Sequence, residues 1–410
     1  MKRTVQNRVY ALIIGCALSF MATAGWSQQA SLTWLGTLPG GPHSWAYNVS
    51  ADGSVVVGGA SNAAWDWRAF HWTAVGGIQD LGTLGGRFSA AHGVSADGSV
   101  IVGWANRANG RTRAFRWTFA GGMQELGTLG GHDSYAYGVS ADGSVVVGVA
   151  YNAFGQGRAF RWTAAGGMED LGTLGGRLSV ALGVSADGLV IVGYAYNAAG
   201  HTRAFRWTQA DGMQDLGSLG GGWSRAHGVS ADGSVVVGIA RNAAGHGRAF
   251  RWTAAGGMQD LGTLGGFHSG ALGISADGAI AVGWADNAAG HEFAFRWTPS
   301  SGMEDLNVLY AHLLTDGSEL WEATAISPNG RYIVGSGYNA TTLHPEAFLL
   351  DTGFPLRGDV DRNGCVDDAD LLTVLFEFGG RGYRNEDLNW DGTINDADLL
   401  QVLLNFGSGC

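Results

Sequence analysis

Two stretches near the C-terminus carry oxygen-bearing side chains at the intervals that wrap a short loop around a hard cation. Asp359, Asp361, Asn363, Cys365, Asp367 and Asp370 occupy positions 1, 3, 5, 7, 9 and 12 of one run, and Asp387, Asn389, Asp391, Thr393, Asn395 and Asp398 repeat them 28 residues later. Calcium takes several oxygen ligands, and a glycine at the sixth position lets so short a loop turn. Gly364 and Gly392 stand there. In this reading Cys365 and Thr393 ligate through their backbone carbonyls, and Asp367 and Asn395 act through water. An apolar helix is expected after each loop, around Leu371, Leu372, Val374 and Leu375 and around Leu399, Leu400, Val402 and Leu403. A single such run is compatible with an acidic surface of chance spacing; two in tandem point to two calcium ions held by residues 357–410.

Catalytic chemistry is harder to place. Asp316, Glu319 and Glu322 cluster with Tyr310, His312 and Trp321 in one insertion. A glycosidase needs two opposed carboxylates, and Asp316 with Glu319 or Glu322 is the pair on offer. The chain shows no nucleophile elbow, P-loop, zinc signature or dinucleotide fingerprint, and its histidines are scattered singly.

The elements that position these residues follow from a repeat of 45 residues. Leu-Gly-Thr-Leu begins at Leu35, Leu81, Leu126, Leu171 and Leu261, as Leu-Gly-Ser-Leu at Leu216, and in decayed form at Leu306. Val-Ser-Ala-Asp-Gly begins at Val49, Val94, Val139, Val184 and Val229, then becomes Ile-Ser-Ala-Asp-Gly at Ile274 and Ile-Ser-Pro-Asn-Gly at Ile326. Such a period means a propeller, solenoid or array. Within one copy, Ala91–Ser95 reads as a short strand, Ala96-Asp97-Gly98 as a turn, Val100–Val102 as a buried strand, Arg113–Thr118 as a third strand and Met123–Leu129 as a fourth. Four strands per repeat describe a propeller blade. The seventh copy lacks a fourth strand, and Ser31–Leu38 matches a fourth strand with no blade before it. Two lone edges would leave backbone groups unpaired. Joining them closes a seven-bladed β-propeller over residues 31–352, followed by a linker at 353–356 and the small α-helical, calcium-loop domain at 357–410.

The recurring pairs Phe70 and Trp72, Phe115 and Trp117, Phe160 and Trp162, Phe205 and Trp207, Phe250 and Trp252, and Phe295 and Trp297 are expected to pack between blades, and Asp52, Asp97, Asp142, Asp187, Asp232 and Asp277 to serve the turns. Residues that vary between repeats are therefore the binding candidates. They are His43, Trp45, Tyr47, Arg87, Phe88, His92, His132, Tyr135, Tyr137, Trp223, Arg225, His227, Phe267 and His268 in the segments after Gly-Gly, and Trp65, Asp66 and Trp67 in the loop between second and third strands of the first blade. Both sets should lie on one face, where aromatic planes with interspersed polar groups suit a sugar or peptide. Drift of ordinary rim loops is the competing account.

The ends and the charge set limits. A net charge of −11 argues against a nucleic-acid surface. Lys2, Arg3 and Arg8, the apolar run Val9–Ala22 and Ala22-Thr23-Ala24 read as an export signal over residues 1–24, leaving no transmembrane segment after cleavage. Ile13-Ile14-Gly15-Cys16 also fits a lipoprotein box, but the apolar run continues past Cys16. Removing Cys16 leaves Cys365 and Cys410, an even count that suggests one disulfide in an exported chain.

Ala-Asp-Gly, a Val-rich strand and Arg-Ala-Phe-Arg-Trp-Thr together resemble the bacterial extracellular HAF repeats over residues 31–351. The resemblance implies export and a propeller-like repeat and supplies no activity. Loops ending in Asp, without a preceding helix, resemble a type I dockerin over 357–410. That resemblance implies two calcium ions, a cohesin-like or cell-surface partner, and docking through Asp368 and Ala369 with Asp396 and Ala397, where cellulosomal dockerins commonly carry Ser-Thr. It also brings the end of the last helix back near the first loop, as a Cys365–Cys410 bridge requires. The expected protein is a secreted or cell-surface propeller for non-catalytic binding or adhesion, with an extracellular glycan as a fitting ligand; the alternative is a carbohydrate-active enzyme or accessory factor in polysaccharide breakdown.

Overall fold

Period-two strands need partners on both edges, and the chain supplies them by closing a ring. A computed structural model describes residues 29–410; the expected leader and Cys16 lie outside the described residues. Seven antiparallel sheets of four strands surround a central channel. Blades 1 to 6 are each contiguous in sequence, running from Ser44–Val49 through Gly77–Gly82 in blade 1 to Gly265–Ile274 through Gly302–Asp305 in blade 6. Blade 7 comprises Glu319–Ile326, Tyr332–Asn339 and His344–Asp351, and its outer strand is Ser31–Trp34. Ser31 pairs with Asp351 and Trp34 with Phe348, so the start of the propeller is stitched into its last blade.

The packing rests on the repeat. Phe70, Phe115, Phe160, Phe205, Phe250, Phe295 and Phe348 are all fully buried, one per blade. Their tryptophan neighbours are buried less completely: Trp72, Trp207 and Trp297 are 7–8% exposed, while Trp117, Trp162 and Trp252 pack at the edge of the same clusters. A buried serine clasps consecutive blades. Ser134 Oγ, for example, accepts the Ala114 amide of the preceding blade at 3.0 Å and donates to the Gly127 carbonyl. Ser44, Ser89, Ser179, Ser224 and Ser269 do the same. At the junction of blades 6 and 7 the short helix α1 (Leu306–Leu309) intervenes, and the Asn307 side chain bonds both backbone groups of Leu320 instead.

The Ser-Ala-Asp-Gly turns do three jobs. In blade 4, Ser185 donates to Asp187 and accepts from the Val190 amide, and Asp187 accepts from Leu189, so both side chains tie the turn. Gly188 has φ +74°, and a Cβ there would lie 2.5 Å from Val145 of the preceding blade. Thus glycine is required by the turn and by the close approach of two blades. The alanines form a collar around the channel: amides of Ala51, Ala96, Ala141, Ala186 and Ala231 each donate to the next blade's alanine carbonyl, and Ala276 donates to Pro328. Proline has no N–H to pass on to Ala51.

Two strand boundaries differ from expectation. The inner strand of blade 2 spans Gly85–Val94 rather than beginning at Ala91, because register shifts flanking Ser89–Ala91 let pairing continue toward the Gly-Gly corner. The outer strand spans only Gly122–Glu125. Beyond it the Leu126 amide turns back to Ala114, and Gly127 takes φ +86°.

After the last blade, Arg331 pairs with Asp351 at 2.7 Å and also donates to the Pro355 carbonyl, fixing the exit of the chain. A small region follows with helices α2 (Asp368–Phe376) and α3 (Asp396–Asn405), each opened by a capping box. Val360, Val366, Val374, Ile394 and Val402 form its core, and Cys365 is bridged to Cys410. Among the described residues no helix is long and apolar enough to cross a membrane.

Candidate functional site

Because the inner strands reach up to the Gly-Gly corners, several expected loop residues are strand residues with alternating directions. One position per blade faces the channel: Tyr47, His92, Tyr137, Leu182, His227, Leu272 and Thr324 line a cavity of about 320 Å³. Two positions earlier in the same strands stand Trp45, Ala90, Tyr135, Val180, Arg225 and Gly270, and blade 7 places Glu322 at the matching register.

The channel ring is polar and desolvated. His92 stacks on Tyr47 at 4.7 Å between centroids and meets Tyr137 edge-on at 5.3 Å. Trp104 donates its indole N–H to His92 Nε2 at 3.1 Å, which leaves the Nδ1 proton of the neutral ring as a donor. Burial pushes His92 down to about 4. His227 is likewise driven to about 4, by burial and then by the Arg225 charge, and its Nε2 has no hydrogen-bond partner among the described residues. Burial, with Glu322 nearby, raises Tyr47 to about 12, partly offset by a hydrogen bond with Trp67. Burial raises Tyr137 too. Glu322 is raised to about 7, by burial first and then by the Glu292 carboxylate. At neutral pH the ring, apart from Leu182 and Leu272, thus offers uncharged imidazoles and phenols, and Glu322, two positions earlier in its strand, carries a carboxyl poised between its two forms.

The expected binding residues fall into separate groups. Tyr47 and Tyr137 line the channel. Tyr135 meets Trp104 edge-on at 6.0 Å, and Arg225 lies over Tyr194 at 4.4 Å and beside Trp223 at 5.1 Å. Trp45 and Trp67 stack tilted at 5.0 Å in blade 1, with Trp65 in the adjoining loop near His43. Elsewhere on the rim, His132 lies on Tyr151 and bonds Asp133, Phe267 lies on His246, and Phe88 is exposed beside Arg87. The inter-blade corners and second loops do share a face, but the rim aromatics are distributed around it blade by blade. The channel members His92 and His227 were in the expected set, whereas Leu182, Leu272 and Thr324 were absent from it. Their 45-residue register with Tyr47 and Tyr137 is the signal that identifies them, broken only by the insertion in blade 7. The carboxylate candidates separate as well. Asp316 is an exposed turn residue accepting from Ser318 and Thr341, Glu319 accepts from Trp321, and only Glu322 belongs to the inner ring.

The C-terminal loops were tested by their donors. Ligand atoms of Asp359, Asp361 and Asp370 lie within 4.8 Å of one another, and Asp359 Oδ1 is buried without a hydrogen-bond partner among the described residues. That orphaned oxygen and the convergent carboxylates fit a metal ion. The second loop repeats several of the first loop's bonds. Gly364 donates to Asp359 as Gly392 does to Asp387; Cys365 to Asn363 as Thr393 to Asp391; Asp361 and Asp367 to Asp370 as Asn389 and Asn395 to Asp398. Asp367 and Asn395 cap helices α2 and α3 through the amides of Ala369 and Ala397. Asp368, Ala369, Asp396 and Ala397, expected from the sequence to dock a partner, are exposed in the first helical turns.

No protein-family model matches this sequence, and comparison with curated proteins gives no match. Among solved structures, the chain is similar to TolB from Acinetobacter baumannii, with TM-score 0.45, 11% identity and coverage of 74% of this chain and 64% of that one. It is also similar to the β-propeller domain of the Trilobed protease from Pyrococcus furiosus, with TM-score 0.49, 10% identity and coverage of 75% and 95%. Hydrazine synthase from Kuenenia stuttgartiensis gives TM-score 0.42 and 14% identity over 76% and 96%. The chain thus spans about two thirds of the Acinetobacter protein's length.

Proposed function

We propose that this is an extracellular binding propeller that takes a polar, uncharged ligand, a glycan residue above all, at the mouth of its channel. The observation that carries the reading is the inner ring: Tyr47 and Tyr137 supply aromatic faces, and neutral His92 and His227 supply hydrogen-bonding edges within one cavity. Sugars are recognised by that combination of stacking and oriented polar groups. The C-terminal region, which resembles a dockerin, would hold two calcium ions through the residues named above and present Asp368, Ala369, Asp396 and Ala397 to a cohesin-like or surface partner. The ion supplies charge neutralisation and loop closure there; the chain's own carboxylates and carbonyls fix its place.

A second reading, a carbohydrate-active enzyme, is favoured by Glu322. A carboxyl held near neutrality beside a second carboxylate, Glu292, is the environment of a general acid. A glycan array on the full chain, with product assays on each hit, tests both. Binding lost in Tyr47→Ala and His227→Ala, without product, supports the binding protein. Reducing ends that accumulate with the wild type and not with Glu322→Gln support the enzyme. No glycan bound in either form removes the sugar reading.

A further inference from the structure

The region of the metal loops rests on the propeller through one residue from each loop, at the same loop position in both. Arg362 is fourth in the first loop and Trp390 fourth in the second. Both have left-handed backbone, with φ +60° and +57°. Arg362 pairs with Asp277, the turn aspartate of blade 6. Trp390 is 5% exposed and packs against the collar alanines Ala51 and Ala96, with Ala141, Ala231 and Ala276 around it. Tyr383 lies parallel to its ring at 6.3 Å. The indole forms part of the lining of a cavity of about 150 Å³ bounded by the collar and the ends of the inner strands, so it floors the channel opposite the open mouth. A third contact comes just before the first loop, where Arg357 donates to the Tyr332 hydroxyl at 2.7 Å.

The loop geometry explains why the fourth residues face outward. Side chains at positions three and five turn toward the loop centre: Asp361 accepts the Asn363 amide and Asn389 accepts the Asp391 amide. The residue between them is left on the outside, in a conformation that arginine and tryptophan rarely adopt on their own. Closure of the loop sustains it. The converging carboxylates of Asp359, Asp361 and Asp370 repel one another unless a cation neutralises them.

We propose that the turn face of the propeller is the docking surface for this chain's own metal loops, and that calcium, by fixing Arg362 and Trp390 in their outward poses, closes the floor of the channel. The inference rests on the calcium reading above. It makes the channel a blind pocket when the loops are loaded and a through-hole when they are stripped.

The test uses the full chain carrying Ala231→Cys, a collar position beneath the indole, with calcium chloride or EGTA. Isothermal titration reports calcium binding, and N-ethylmaleimide labelling at position 231 is read by peptide mass mapping. The native Cys365–Cys410 pair is already bridged. The expected result is calcium binding with labelling about tenfold slower than in EGTA, because the Trp390 indole covers the collar position until the plug opens. Adding Arg362→Ala and Trp390→Ala should keep the calcium stoichiometry and restore the fast labelling. Arg362→Lys with Trp390→Phe should give an intermediate rate, which guards against a misfolded alanine variant. Calcium binding with unchanged labelling would overturn the docking proposal and leave the calcium reading intact. Absence of calcium binding would remove that reading and the docking proposal with it.

Discussion

Single side chains in this ring carry unequal loads. Phe205 is enclosed on all sides, so Phe205→Ala leaves a cavity and should cost about 3–5 kcal/mol in chemical denaturation. Glu322 has the opposite character. Its carboxyl is raised from the usual 4.5 to about 7 by burial and the neighbouring Glu292. The folded state therefore binds this proton more tightly than the unfolded chain does. The contribution is whole below about pH 4.5 and is lost as pH rises through 7. Glu322→Gln should be nearly neutral in acid and should stabilise the protein by up to about 3 kcal/mol at alkaline pH. Unfolding titrations of both proteins across this range check the sign; a constant difference between them would refute it.

At the scale of elements, the turns and the closing strand are the sensitive points. Gly233 has φ +72°, and a Cβ there would lie 2.3 Å from Val190. Gly233→Ala combines a disfavoured backbone with overpacking between blades and should cost about 2–4 kcal/mol, measured by thermal unfolding. Removing Ser31–Trp34 bares the edge of His344–Asp351. The shortened protein should melt earlier and elute as aggregates in size-exclusion chromatography. Both elements were legible in the sequence, because a turn needs Asp-Gly and an incomplete blade at each end demands a partner. The extent of the inner strand was not. Gly-Gly reads locally as a corner, yet pairing of Gly85 with Arg107 lets the strand begin there. For that reason Leu182 and Leu272, which share the channel register of Tyr47, were passed over while Trp65 and Phe88, prominent by type, were selected. The serine clasp was also present in the sequence at 45-residue spacing, but a buried serine reveals its role only when the preceding blade's amide is in view.

For the whole molecule, the propeller and the C-terminal region stabilise themselves by different means. The bridge between Cys365 and Cys410 joins residues 45 apart. Replacing both with serine should lower the stability of that region by about 4 kcal/mol in the chain-entropy model, seen in calorimetry as an earlier separate transition. The change from ring to a small helical tail lies where the sequence period stops. Their mutual seating was not readable in the sequence, since nothing in a loop motif tells which surface its fourth residue will meet. One last consequence follows from Pro328. The amide-to-carbonyl chain that encircles the channel runs unbroken from Ala51 to Pro328 and cannot pass from Pro328 to Ala51. That gap lies between the seventh and first blades, on the flank of the blade in which the two ends of the propeller are paired. A torus of near-identical sectors therefore has a preferred line of rupture: pulled apart in a force spectrometer, it should unzip from this seam, sector by sector, and not from a random point on its circumference.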